Sequence, residues 1–261
     1  VLLSLSLGRY SNDPSKVLNV LFSRLGANVN VDPAMESIIF NVRLPRILAS
    51  VMIGAMLSLS GAVYQSVFRN PLVSPDLLGV SSGAAVGAAG AILLGAGLIT
   101  RQLFAFIGGM TAVLITSLVP RILRNRSNMM LVLSGIIVGG FLSSVLAIMK
   151  FVAEEQTELS SIVFWQMGSL SSILGRELLA ILPIFLICSS LLLLLSWRIN
   201  ILAFGDLEAR TLGVNVRQVR SIVIICASLL TASAVSISGT IGWIGLVVPH
   251  LGRLIVGSDN T

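Results

Sequence analysis

Six long stretches of this chain carry no Asp, Glu, Lys or Arg: 47–68, 77–100, 102–120, 127–149, 178–197 and 221–252. About 20 mainly apolar residues in a helix cross the hydrocarbon of a bilayer, because a helix rises about 1.5 Å per residue and satisfies its own backbone in lipid. Uncharged runs of that length leave a water-soluble fold little room. Hydrophobic residues make up 55% of the 261 positions and charged ones 11%, with a mean hydropathy of +0.98, whereas an average soluble domain is about 25% charged. One water-facing core of this size cannot shelter so much apolar surface. The expected class is therefore all-α, a polytopic transmembrane helical bundle. The run 221–252 is long for one helix and short for two. "SISGT" at 236–240 supplies the Gly and Ser of a break, and the run is split there.

Two polar segments, 8–42 and 150–177, fall on one side of the membrane if the helices alternate, and "FWQMGSL" (164–170) in the second predicts a short interfacial or re-entrant helix. The other side receives Arg69, the trio Arg121, Arg124 and Arg126, the segment 198–220 and the C-terminal "HLGRLIVGSDNT". Nine Lys and Arg on that side against eight on the first leave the positive-inside rule without a preference. Gly79, Gly83 and Gly87 recur every four residues, as do Gly135 and Gly139. Such smooth faces serve bundle packing, a pore lining or a dimer seam, and spacing does not separate these. Cys188 and Cys226 lie in apolar runs and read as small hydrophobes. The first residue is Val1 and the leading "VLLSLSL" is too short for a span or a signal peptide, so a cut N-terminus is expected.

Chemistry at membrane depth needs a nucleophile with a base, or clustered metal ligands. His250 is the single histidine, and no Asp or Glu lies within the uncharged runs. Neither a catalytic constellation nor a metal site is expected. The same gap counts against a carrier coupled to protons or sodium, for which intramembrane carboxylates are the usual sign; backbone carbonyls leave that alternative open. There is no "GxxxxGK[ST]" phosphate loop, so ATP-driven transport needs another subunit to supply it. The 17 basic residues form no stripe with interleaved aromatics, which argues against nucleic acid.

"GDLEARTLGVNVRQVR" (205–220) interrupts the apolar pattern with two acids, three arginines and two glycines. "DLEARTLG" predicts a helix of about two turns, with Asp206 at its positive end and Gly213 as its stop. "NVRQVR" begins a second helix with Asn215 as cap. Two short helices on a polar loop form a knob, which is either a docking element or a solvated connector carrying topogenic arginines.

This block resembles the cytoplasmic coupling loop of the FecCD/BtuC-type permeases, the membrane subunits of type II ABC importers for iron–siderophore complexes, haem and vitamin B12. Three further stretches carry the resemblance: "RLPRILASVMIGAMLSLSGAVYQSVFRNPLVSPDLLGVSSGA" (43–84), "FWQMGSL" (164–170) and "GTIGWIGLVVPHLGRLIVGSDN" (239–260). It implies a BtuC-like bundle of ten helices per subunit, here truncated at both ends, with 1–7 ending the first helix and the chain stopping after the eighth. It implies one transmembrane domain over 1–261 with external loops 8–42 and 150–177 and a cytoplasmic coupling loop 198–220. It further implies a homodimer in a bacterial inner membrane, two ABC ATPase subunits that hold ATP and Mg, and a periplasmic or lipid-anchored substrate-binding protein; the chain itself carries no cofactor.

Site roles follow from the resemblance position by position. Gly205, Asp206, Glu208, Ala209, Arg210, Leu212 and Gly213 belong to the ATPase-coupling element, with Glu208, Ala209, Leu212 and Gly213 at the contact and Arg210 as an ion-pairing partner. Arg43 and Arg46 dock the binding protein, their alternative being headgroup anchoring. Asn70 and Leu72 of "RNPL" are gate positions, and Ser143 and Ser144 line the translocation path. The cargo implied is an iron–siderophore or related chelate such as haem or cobalamin, with oxyanions also open. An ion-coupled secondary transporter is the competing function.

Overall fold

A computed structural model gives the structure of the chain at residues 4–5, 14–24, 32–124, 127–171 and 173–257. Arg126, the final 258–261 and most of 1–13 and 25–31 lie outside the described residues. Helix is the only regular structure among the described residues. The order is α1 (Pro14–Arg24), α2 (Pro33–Ile38), a π-helical turn (Ile39–Arg43), α3 (Leu44–Phe68), a 3-10 turn (Pro75–Leu78), α4 (Val80–Leu93), α5 (Leu98–Ile122) and α6 (Asn128–Val152). A second π-helical turn (Glu155–Leu159) leads to α7 (Ser160–Met167), α8 (Gly175–Leu194), α9 (Ser196–Phe204), α10 (Asp206–Thr211), α11 (Val216–Ser238) and α12 (Ile244–Val256). Among the described residues five helical runs are long and apolar enough to cross a membrane: Pro33–Phe68, Leu98–Ile122, Asn128–Val152, Gly175–Leu194 and Val216–Ser238.

The described chain divides into two compact units, Val1–Ile53 with Leu170–Leu182, and Gly54–Ser169 with Pro183–Thr261. The first holds a small apolar cluster of Leu5, Val17, Val20 and Ile39, flanked by Met35, Phe40 and Ile47. Its helix α2 starts where Asp32 accepts a hydrogen bond from the Ala34 amide at 3.0 Å and Pro33 occupies the first turn. Residues 33–43 thus extend the first long helix into the segment expected as external loop. The π-helical turn precedes Pro45, whose missing N–H interrupts the regular ladder there.

The second unit is organised around α11, the most buried of the long helices, with 72% of its apolar window covered. Hydrogen bonds rather than hydrophobicity fix helix against helix in lipid. Ser60 of α3 donates to the Ala227 carbonyl at 3.0 Å, and the Tyr64 and Ser228 hydroxyls lie 2.6 Å apart. Small residues do the same for α4 and α5. A Cβ on Gly83 would stand 2.4 Å from the Gly108 carbonyl oxygen, and one on Gly87 would stand 2.1 Å from that of Phe104. For Gly83 and Gly87 the structure selects bundle packing among the uses of the glycine repeat.

Three expected boundaries are corrected. The run 77–100 is not one span: α4 covers only Val80–Leu93, about 21 Å of helix against about 30 Å of hydrocarbon. Gly95, at φ +64, turns the chain, and α5 begins before Arg101 rather than after it. Residues 198–204, expected as loop, belong to α9. The second helix of the polar block is not short, because Val216 opens the full length of α11. The break expected at 236–240 is present, with α11 ending at Ser238 and Gly239 at φ +71.

Residues 77–79, at the start of the 77–100 run, pack among the helices instead of extending α4. Thr116 donates to the Leu78 carbonyl at 3.1 Å, and Gly135 admits the Leu77 carbonyl at a spot where a Cβ would be 2.0 Å away. Both contacts lie about 10 Å in from the near ends of α5 and α6. At Leu78 and Gly79 the irregular backbone is buried in protein, a setting in which membrane depth tolerates it.

Candidate functional site

Helix α10 is two short turns carried between α9 and α11. Gly205 precedes it in an extended conformation at φ +151, with Glu208 folded so closely against it that a Cβ would stand 1.9 Å from Oε2. Gly213, at φ +76, ends it, and Asn215 caps α11 by accepting from the Gln218 amide at 3.2 Å. The surface of α10 is Leu207 at 73% exposure and Leu212 at 62%, together with Glu208, Arg210 and Thr211. Ala209, an expected contact position, is fully buried, and Gly205 of the same expected element is buried, so both face inward and support the helix. Leu207 is exposed beside Glu208, and only its position on the helix, which composition does not show, marks it.

Asp206 does more than suit the helix dipole. Its Oδ1 accepts from Arg69 at 2.5 Å and from Arg220 at 2.7 Å. Arg69 sits at φ +53, immediately after α3, and its Nε donates to the Leu202 carbonyl of α9 at 3.3 Å. Three separate sequence segments therefore meet on one carboxylate. The hydrogen bond from Arg220 holds the Asp206 carboxyl below the usual carboxylate range; partial burial opposes this, and the charges of Arg220, Arg69 and Arg210 add to it.

Asn70 and Leu72 follow Arg69 directly. Asn70 Oδ1 accepts from the Leu72 amide at 2.9 Å, a tight turn that presents Leu72 at 76% exposure. The structure thus joins the expected gate positions to the expected coupling element through Arg69 and Asp206, a link that the sequence leaves unmarked.

At its far end α11 meets the "FWQMGSL" segment. The Ser169 amide donates to the Ser238 carbonyl at 2.7 Å, and a Cβ on Gly239 would lie 2.2 Å from the Trp165 carbonyl oxygen. The expected short helix is α7, closed by Gly168 at φ +69. Arg43 turns back and donates to the Leu5 carbonyl, whereas Arg46 is exposed. Ser143 and Ser144 are exposed on α6, their hydroxyls donating to the Gly139 and Gly140 carbonyls at 2.8 and 3.1 Å. The hydroxyls of Ser143 and Ser144 thus bond within α6 and not to α10.

The loop before α4 also carries one carboxylate, that of Asp76. Asp76 accepts from the Ser81 amide at 2.8 Å and lines a cavity of about 280 Å³ with Thr231, Thr240 and Trp243. It lies one residue outside the uncharged run, which is why the runs alone do not reveal it. Cys188 and Cys226 are buried free thiols, and no group of three potential metal-ligating side chains occurs among the described residues.

Comparison with known proteins places these features. The sequence profile of the FecCD transport family matches residues 1–261. The molybdate import system permease protein MolB of Haemophilus influenzae is 41% identical over 261 residues, covering 99% of this chain and 76% of the relative. An iron chelatin transport system permease protein of Helicobacter pylori is 42% identical over 235 residues, covering 87% of this chain and 68% of the relative. A solved metal-chelate type ABC transporter in an inward-facing conformation superposes with a TM-score of 0.86 at 39% identity, covering 99% of this chain and 78% of that one. With a helical bundle of the same architecture and a profile match along its whole length, the chain is a multi-pass membrane protein that belongs to the FecCD transport family.

Proposed function

We propose that this chain is the membrane half of an ATP-driven importer of a metal chelate in a bacterial inner membrane, working as a pair of copies with separate ATPase subunits and a substrate-binding protein. The observation that carries this reading is Asp206, held at once by Arg69 and Arg220. A push on the exposed surface of α10 displaces Asp206. Through Arg69 the displacement reaches the turn of Asn70 and Leu72, and through Arg220 it reaches the start of α11. Because α11 is one buried rod, its far end carries the motion to Ser169 and α7. Both ends of the pathway then answer to one motor. Glu208, Leu212 and the neighbouring Leu207 are the ATPase-facing residues in this scheme, and Arg46 is the more available of the two binding-protein contacts.

A chelate is bulky and polar, and it passes best along weak, uncharged walls, which Ser143 and Ser144 supply. The relatives carry different cargo names, molybdate and iron chelatin, at nearly equal identity. Cargo choice in this scheme therefore rests with the binding protein. Proteoliposomes holding the full-length permease test the whole proposal. Uptake of an iron–siderophore complex is expected only with the ATPase subunit and ATP inside and a siderophore-loaded binding protein outside. Uptake driven by an ion gradient with no ATPase present would overturn it in favour of a secondary carrier.

A further inference from the structure

Beside α10 a cavity of about 290 Å³ opens between the end of α5, the start of α6 and the first turns of α11. Four guanidinium groups line it, Arg121, Arg210, Arg217 and Arg220, against the single carboxylate of Asp206. Four positive charges less one negative leave a formal +3 in the lining. Asp206 is already shared with Arg69, which stands outside the cavity. The guanidinium groups of Arg121, Arg210 and Arg217 make no hydrogen bond or ion pair among the described residues, and the buried Nε of Arg220 has no partner. Two long helices, α6 and α11, also begin at this cavity and turn their positive ends to it. Like charges gathered this closely call for an anion, and guanidinium forks match the oxygens of a phosphate.

The apolar boundary decides which anion. Leu131 and Ile224, about one turn further along α6 and α11, floor the cavity. Leu118, Ile122 and Ile225 stand exposed on the same ends of α5 and α11. A ligand with a charged head and an oily body fits both parts, whereas an acidic side chain of a protein partner fits only the first. We propose that this cavity binds the phosphate headgroup of an anionic phospholipid at the membrane surface. Since Arg210 belongs to α10 and Arg217 and Arg220 to α11, the bound headgroup ties the coupling helix to the central rod.

Full-length protein in nanodiscs of mixed phosphatidylglycerol and phosphatidylcholine, released into detergent, tests this by native mass spectrometry, a readout independent of transport. One retained phosphatidylglycerol per chain is expected, with phosphatidylcholine lost. Arg121→Gln and Arg217→Gln should each weaken retention about fivefold, and Arg217→Lys, which keeps the charge, should restore most of it. Arg124→Gln, outside the cavity, should change little. Equal retention by the Arg121→Gln/Arg217→Gln double variant overturns the site. Displacement of the lipid by an excess of inorganic phosphate, or its loss on assembly with the ATPase subunit, overturns the lipid assignment in favour of free phosphate or of an acidic protein group.

Discussion

Asp206 shows how one side chain can matter more to coupling than to stability. Its pairs with Arg69 and Arg220 are partly open to water, with the carboxylate 40% exposed, so their loss should cost about 1 kcal/mol or less. Asp206→Asn keeps the shape and removes the charge that joins α3, α10 and α11. In proteoliposomes with the ATPase, uptake should fall about tenfold or more, while ATP hydrolysis persists. Unchanged uptake per ATP would refute the linkage. The pH dependence has a definite sign. The carboxyl is held below its ordinary value of about 4, so the anchor is fully charged above that value and is lost only as pH falls through the depressed one. Uptake between about pH 6 and pH 8 should show no titration from this group. The sequence marks Asp206 as a helix-start acid through its local pattern, yet Arg69 lies 137 positions away, and no local spacing reports a pair of that separation.

Some helix starts and stops were legible because their causes are local: Asn215 caps α11, and Gly213 and Gly239 end α10 and α11. The shortness of α4 was not legible, since the uncharged run 77–100 continues past both of its ends, Val80 and Leu93. The junction of α7 with α11 was equally hidden, because "FWQMGSL" and "SISGT" meet through backbone carbonyls rather than through side chains. That junction makes Gly239 irreplaceable in two ways, by its φ of +71 and by the Trp165 carbonyl where a Cβ would go. Gly239→Ala should destabilise the full-length protein by about 2 kcal/mol or more, seen as an unfolding temperature lowered by several degrees in detergent. Gly242→Ala, with nothing within 4 Å of its Cβ position, is the comparison and should leave that temperature nearly unchanged. Similar shifts for the two variants would contradict a close seam between α7 and α11.

The long helices differ in how much of themselves the chain covers. The apolar window of α11 is 72% buried and that of α6 only 22%, so α6 is available to something beyond this subunit. Exposure does not say what. Ile136, Ile137 and Phe141 suit lipid, while Ser143 and Ser144 have hydroxyls already satisfied by their own helix and so tolerate either lipid or a water-filled path. In the proposed dimer these serines line the central route, and water reaches them. The native thiols offer a quiet background, since Cys188 and Cys226 are 4% and 5% exposed. Ser143→Cys and Ser144→Cys in the assembled full-length transporter should therefore react with a charged methanethiosulfonate reagent about tenfold faster or more than Leu114→Cys on the exposed apolar face of α5, because a thiolate forms readily in water and hardly at all in hydrocarbon. Rates that also change when ATP is added would tie the accessibility to the transport cycle. Labelling of all three at one slow rate would put α6 against lipid and remove the serines from the path.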